Sequence, residues 1–568
     1  MRKSLARCFK NLLFVAIASV LPGFVLKAND ITKSASPPLV LYTDITSGPN
    51  SGGEGNNGIY LTIFGTHFGA TQGTSKVTIN GRVVAQYLLW TDAKIGVQVG
   101  HVSTGPIVVS VGGVLSNSDK TFTVRPGRIF YIGRSIDNSA GSCSGGTYAR
   151  PWGLTNFANK SEPAYTRMMR TPRFYYNCMS LGDTLVFLNG ASYSHFDGAM
   201  WHSTLTLGDN KETATSSKFY TFMARPGATV RLGSTGGGAT FPIRDHSTGY
   251  NVVSGLTLTG SGANGGAVLS AHDRVVGNEI TCPDCWGPSG ALAGDGDGII
   301  LYGNTVHDVS TLVPGGSNKT YHAIYVAGNN IEIAWNRIYK AKAYNGVQVH
   351  HDKSPGFYNV SIHDNDIADV NGSGINLSTV DPSSGYIKVY NNVVHHVGLA
   401  MAPDSPGPHS CLAIKGLGSA TAPGTVEIFN NSMVDCSSYL NTNPSDDSSC
   451  AILIPAKQLN VTTKLVNNIV YQPAYKGTAR NNVYFCSGGG PIGTISGSNN
   501  LWYSERPPGR ISPAPGYGTI ANPQFVSFID YHLQNGSPAI GAGIPFGGLI
   551  HDYDHVPRRN PPTIGAYE

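Results

Sequence analysis

Three short stretches carry the residue types that proton-transfer chemistry uses. They are H-A-I-Y-V-A-G (His322 to Gly328), N-G-V-Q-V-H-H (Asn345 to His351) and S-G-I-N-L-S (Ser373 to Ser378). In the second, Val347 and Val349 share one side of an extended chain, so Gln348 and His350 take the other. The same count turns Tyr325, Asn376 and Ser378 outward. With His322 before them and His351-Asp352-Lys353 after, the row is polar and partly basic. C-L-A-I-K-G (Cys411 to Gly416) continues the series and brings Lys415, whose side the pattern leaves open. His350 or Lys353 suits a base, Tyr325 an acid, and Gln348 or Asn376 a partner for a carboxylate next to the carbon that loses its proton. His322, His351 and Lys415 complete the set as further substrate contacts. A solvated sheet face with loop histidines would use the same residue types.

A second candidate is G-D-G-D-G, Gly294 to Gly298. Two carboxylates in a glycine-rich loop, Asp295 and Asp297, suit Ca²⁺ binding or an acid and base for hydrolysis. They suit an ordinary turn as well.

What would hold such a row in register is a repeat. The pattern apolar-x-x-Asn-x-apolar recurs at Asn278, Asn304, Asn336, Asn365, Asn392, Asn431 and Asn468, at intervals of 26, 32, 29, 27, 39 and 37 residues. Variable spacing around a fixed motif means one coil per repeat, with loops of different length inserted on one side. No long amphipathic helix intervenes, as an α/β alternation would require. The expected architecture is all-β, a right-handed parallel β-helix spanning 129–521. Asn is expected to take the left-handed backbone of a sharp bend and to bond its amide to the next Asn in the stack. The start of this region, F-Y-I-G-R-S-I-D-N-S-A-G with Gly182-Asp183-Thr184-Leu185-Val186-Phe187, resembles the first turn of exported β-helix enzymes of the pectate lyase-like superfamily.

Residues 38–126 read differently. Short alternating runs, Ile59-Leu61-Ile63, Val77-Ile79 and Val108-Val109-Val111, lie between Gly, Asn and Ser turns, as in a small antiparallel β-sandwich. G-I-Y-L-T-I-F-G-T-H-F-G (Gly58 to Gly69), V-T-I-N-G (Val77 to Gly81), Gly105-Pro106 and Phe122-Thr123-Val124 resemble the IPT/TIG family of immunoglobulin-like domains. That resemblance implies a binding or spacer module without chemistry of its own. The change of pattern near Pro126 predicts that the two parts fold separately. The last part, 522–568, with Y-H-L-Q-N-G-S-P-A-I-G-A-G, H-D-Y-D-H-V-P-R and I-G-A-Y-E, resembles the C-terminal cap of exported bacterial β-helix proteins, which implies that it covers the last open coil.

Of the 568 residues 13 % are charged, 40 % are hydrophobic and 71 are Gly; the net charge is +5. This excludes a disordered chain, and without a dense Lys/Arg patch it gives no nucleic-acid partner. Arg2, Lys3, Arg7 and Lys10 before an apolar run from Leu12 to Leu26 read as a signal peptide over 1–28, with no membrane span once it is removed. An uncleaved N-terminal anchor is the alternative. The expected destination is the periplasm, the cell surface or the medium. Cys8 lies in the signal; the other eight of the nine cysteines suggest disulfides in an exported chain. C-P-D-C (Cys282, Cys285) reads as a local disulfide or free thiols rather than zinc. Cys411 and Cys450, each heading a strand, are expected to pair.

A β-helix offers a flat face on which a linear polymer can lie. The expectation is therefore a monomeric carbohydrate-active protein with a polysaccharide partner, a lyase acting on a uronate-containing polymer by β-elimination. A glycoside hydrolase or epimerase, and a non-catalytic adhesin or surface carbohydrate-binding protein, are the alternatives. Ca²⁺ is the one cofactor that these residue types suggest. N-T-D, G-H-G and R-I-K, which mark polygalacturonase-like hydrolases, do not occur, and neither do the usual pectate lyase signatures.

Overall fold

The computed structural model describes residues 36–133, 145–153, 178–190, 192–193, 202–207, 213–235, 240–245, 247–316, 320–351, 356–400, 404–405, 407, 409–415, 423–438, 450–454, 460–473, 484–486, 493–505 and 516–568. Among them three parallel sheets of 13, 12 and 10 strands form a right-handed β-helix. One coil shows the plan. Ile331–Ala334 belongs to the 13-stranded sheet, a two-residue corner leads to Arg337–Ala341 in the 12-stranded sheet, and Val347–His350 follows in the 10-stranded sheet. Inward aliphatics stack coil upon coil, as in Ile333, Ile362, Val389, Ile428 and Leu465, all buried. Phe130 stacks on Trp152 at the first coil, and Trp502 is fully buried near the last.

The asparagine motif forms the corner, and its division of labour differs from the expectation. Each ladder Asn is buried and bonds the next: Asn336 donates through its backbone N–H (2.9 Å) and Nδ2 (3.0 Å) to Asn365 Oδ1, and Asn365 does the same to Asn392. Asn500 extends the ladder by one further coil. The left-handed backbone sits on the preceding residue instead, at Gly277, Gly303, Trp335, Asp364, Asn391, Asn430, Asn467 and Asn499. One residue absorbs the bend, and the next turns its amide inward to satisfy the backbone that the bend frees. Gly and Asn tolerate that conformation; the tryptophan at 335 does not do so readily.

Residues 39–124 form two facing sheets. One is antiparallel, in the order Leu39–Thr43, Tyr60–Thr66, Lys94–Gln98, Gln86–Trp90; the other is built mainly from Lys76–Ile79, Gly105–Val111 and Thr121–Val124. Their core does not close on itself. It continues into Ile129, Tyr131, Val186, Met223 and Val252 on the outer face of the 13-stranded sheet. Arg225 pairs with Glu54 at 3.1 Å, and Arg274 Nε donates to the Asp44 carbonyl at 2.9 Å. The pattern change near Pro126 is real, yet the hydrophobic core runs across it.

The described contacts of the C-terminal segment lead back along the corner and the 12-stranded sheet. Asn499 Nδ2 donates to Ala542 O (2.9 Å), Asn467 Nδ2 to Ile544 O (2.7 Å) and Arg558 to Asn391 Oδ1 (2.8 Å). Ala539 and Ile564 pack on Ile469 and Leu501. The segment therefore clamps successive coils from outside, beyond the expected role of closing one end.

Cys282 pairs with Cys285, as one of the readings of C-P-D-C expected, whereas Cys411 pairs with Cys436 and not with Cys450. Leu412 lies opposite Ile452, which sets Cys411 opposite Ala451 and shifts Cys450 by one residue. Cys411 packs in the main core, whereas Cys450 packs outside it with Ala413 and Leu453, and the two sulfurs do not meet.

Candidate active site

The 10-stranded sheet carries the expected row, and its register is now fixed. Tyr325, Gln348 and Asn376 lie directly opposite one another on consecutive strands, with Ala293 before them and Ala413 after. A parallel row two residues along the strands runs Asp295, Ala327, His350, Ser378 and Lys415. The backbone of Lys415 thus belongs to the His350 row. Lys353 lies outside the described residues.

The strand Val347–His350 shows why the local sequence works. Val347 and Val349 are fully buried, while Gln348 and His350 are half-exposed on the outer surface. The Tyr325 hydroxyl lies 3.4 Å from His350 Nδ1, and the two rings are nearly parallel with centroids 6.3 Å apart. A phenol and an imidazole are thereby brought together on the open face, an arrangement that moves a proton in either direction.

Beneath this pair lies His322, stacked between Tyr325 (4.9 Å) and Tyr344 (5.0 Å). Burial pushes its pKa down to about 3, with the neighbouring His350 adding to the effect. It is therefore neutral near pH 7. Its Nδ1 accepts the Asn345 N–H at 3.4 Å, which leaves the ring proton on Nε2. The expected substrate contact is in fact the buried floor under Tyr325. His351 is a turn residue: its N–H donates to Thr379 Oγ1 (3.1 Å), and that hydroxyl donates back to the His351 carbonyl (2.6 Å).

Gln348 and Asn376 form an amide chain with Asn345. Gln348 Oε1 accepts from Asn345 Nδ2 (2.8 Å) and from Asn376 Nδ2 (2.9 Å). With its oxygen occupied twice, Gln348 turns its NH₂ group away from these partners. That is the polarity a carboxylate needs. Asn376 Oδ1 is buried without a hydrogen-bond partner.

Asp295 is exposed at the head of the His350 row. Asp297 is engaged elsewhere, its Oδ1 accepting the Asn329 N–H (2.8 Å) and Nδ2 (3.3 Å). Among the described residues no group of three or more His, Cys, Asp or Glu comes together as a metal-binding set. The two aspartates thus offer one open carboxylate, that of Asp295.

Sequence reasoning passed over three residues of this face. Asn345 is buried and orients Gln348, but it reads as the turn before the strand. Ser378 was placed outward without a role; it adjoins His350 in the register. Arg244 occupies the Tyr325 row, two strands before Ala293. The period-two signal in F-P-I-R-D was present there, but no asparagine motif announced that coil.

No family of known proteins matches this chain, and no curated protein does. Among solved structures it is similar to the pectate lyase Pel9A, with 11 % identity over 78 % of this chain and 97 % of that one and a TM-score of 0.37. It is also similar to XylC in complex with xylose, with 8 % identity, 77 % and 98 % coverage and a TM-score of 0.41. A third likeness, to the gamma-CGTase of alkalophilic Bacillus clarkii, has 22 % identity over 19 % of this chain and a TM-score of 0.14; the chain spans only 16 % of that enzyme.

Proposed function

We propose that this protein is an exported carbohydrate-active enzyme that cleaves a uronate-containing polysaccharide by β-elimination on the face of the 10-stranded sheet. The observation that carries the reading is the Tyr325–His350 contact beside the Gln348–Asn376 amide chain. His350 takes the proton next to the uronate carboxylate, Gln348 with Asn376 holds that carboxylate, and Tyr325 gives a proton to the departing glycosidic oxygen. Adjacent coils lie about 4.8 Å apart, so neighbouring strands can meet neighbouring sugars of one chain. Hydrolysis would require two carboxylates flanking the bond, about 5–9.5 Å apart. On the described part of this face only Asp295 stands free for such a role, two strands from His350. Lys353 as an alternative base, Lys415 as a substrate contact, and Ca²⁺ shared between Asp295 and the substrate belong to the same proposal, but no step depends on them. The sandwich is read as an IPT/TIG-like spacer or binding module. The disulfides and the basic, apolar N-terminus support export.

Incubating the protein with a panel of acidic polysaccharides tests the reading. It predicts products that absorb in the unsaturated-uronate band. Reducing ends without that absorbance would favour hydrolysis, and binding without cleavage would favour the adhesin.

A further inference from the structure

On the outer face of the 13-stranded sheet, and so on a different sheet from the His350 row, the late coils carry a groove of about 550 Å³. Its volume falls within the roughly 300–1,000 Å³ typical of ligand pockets. The strands Gly424–Phe429, Val461–Val466 and Thr494–Ser498 make its floor. Val426, Ile428, Thr463 and Leu465 are buried on the core side, so Thr425, Thr462 and Lys464 face outward. Thr425 lies opposite Thr462, and Lys464 opposite Ser496, each one strand apart. The C-terminal segment supplies the wall. Ile544 is tied to Asn467 by two bonds, its N–H donating to Oδ1 (3.0 Å) and its carbonyl accepting from Nδ2 (2.7 Å). Phe546 follows, edge-on to Phe429 at 5.1 Å.

Two observations set the groove apart. Thr425, Thr462, Ser496 and Ser498 line it half-buried, and none of their hydroxyls has a hydrogen-bond partner among the described residues. Secondly, Lys464 is the one charged residue that lines it among the described residues. Its ammonium lies over the Phe546 ring at 4.6 Å and makes no ion pair among those residues. Glu427 stands opposite Lys464 in the register, but its Oε2 turns to Lys388 at 3.9 Å. A cation–π contact engages one side of an ammonium and leaves donors for an acceptor. A solvated sheet face accounts for scattered hydroxyls; it does not account for four of them gathered under a wall with one uncompensated cation. We infer that this groove is a second binding site, for an acidic saccharide. The ammonium takes the carboxylate through a charge-assisted bond, and the serine and threonine hydroxyls meet sugar hydroxyls as donor or acceptor. Ile544, 37 % exposed, offers an apolar edge to a pyranose ring. A cationic ligand would be repelled by Lys464, and a neutral one would leave it without a counter-charge. Strands about 4.8 Å apart set the hydroxyls in steps along the coil axis, which suits a linear chain. That a sugar bears the anion rests on the carbohydrate-active reading; the anion site itself does not.

Lysine labelling of the whole protein, read by peptide mass spectrometry, tests the inference with hexamers of galacturonate, mannuronate and guluronate as probes. With at least one of them at ten times its dissociation constant, labelling of Lys464 should slow by about tenfold. Labelling of Lys76, exposed on the sandwich, should not change. His350→Ala should show the same protection, since that residue lies on another sheet. Thr462→Val should need about threefold more oligosaccharide or more, the effect of one lost hydroxyl bond. No protection by any of the three hexamers, equal protection by cellohexaose, equal protection by inorganic phosphate, or an unchanged requirement in Thr462→Val overturns the inference. Because the lyase assay reads the 10-stranded sheet, protection of Lys464 in a protein that cleaves no polymer would keep this site and remove the lyase reading.

Discussion

Replacing Asn365 by alanine removes five hydrogen bonds from the middle of the corner ladder. Its Nδ2 donates to Ile333 O, His363 O and Asn392 Oδ1, each at 2.9 Å, and its Oδ1 accepts from Asn336 N–H and Nδ2 at 2.9 and 3.0 Å. Some partners keep other bonds: Asn336 Nδ2 still reaches Leu301 O and Ala334 O, and His363 O still accepts from Trp335 N–H. The buried Asn336 N–H loses this acceptor, which costs about 1–3 kcal/mol, and each other lost bond costs about 0.5–1.5 kcal/mol. Losses at one site do not add fully, so the expected destabilisation is about 3–5 kcal/mol. Urea unfolding followed by circular dichroism measures it, with hydrogen exchange over residues 331–397 locating the weakened coils. Thr257→Ala, which removes an exposed hydroxyl bond to Glu279, serves as the control and should cost less than about 0.5 kcal/mol. A loss below about 1 kcal/mol for Asn365→Ala would show that the amide ladder does not hold the coils together, contrary to the reasoning from burial.

His363 gives a pH signature. Burial lowers its pKa, but bonds to Asp364 and Glu332 outweigh that and raise it from the ordinary 6.5 to about 9. Its contribution is complete below about pH 6.5 and is lost as pH rises through about 9, so the unfolding midpoint should fall over that window and His363→Gln should flatten the fall. Deleting residues 1–126 should expose Ile129, Tyr131, Val186, Met223 and Val252 and yield an aggregating β-helix; a soluble, monomeric truncation would refute the shared core. Non-reducing peptide mapping should join Cys411 to Cys436, and replacing both by serine should cost about 3 kcal/mol for the 25-residue loop; a Cys411–Cys450 peptide would contradict the register.

Much of this was legible in the chain because the β-helix repeats its reasons. Seven asparagines at one motif position announced the corner, and Val347 and Val349 were enough to turn Gln348 and His350 outward. What escaped lies between repeats. Asn500 was missed because its coil begins in G-S-N-N-L-W, with Gly497 where an apolar residue was sought. The Cys411–Cys450 pairing failed on a one-residue slip that only the strand register reveals. Nothing local told that the face of the 13-stranded sheet is apolar for the sandwich's sake. Val186 and Met223 are core residues, but of the neighbouring body. The left-handed residue before each Asn was equally hidden, since Gly, Asp, Asn and Trp share no obvious property until the backbone is seen.

The most direct test of the central claim is the turnover of His350→Ala on whichever acidic polymer the wild-type protein cleaves, read as the rate of unsaturated-uronate absorbance. His350 lies outside the core, so the variant should fold and melt like the wild type. Its turnover should fall by roughly a hundredfold or more, the contribution expected of a positioned general base. A folded His350→Ala protein with unchanged turnover would remove His350 from the mechanism and the Tyr325–His350 pair from the active site.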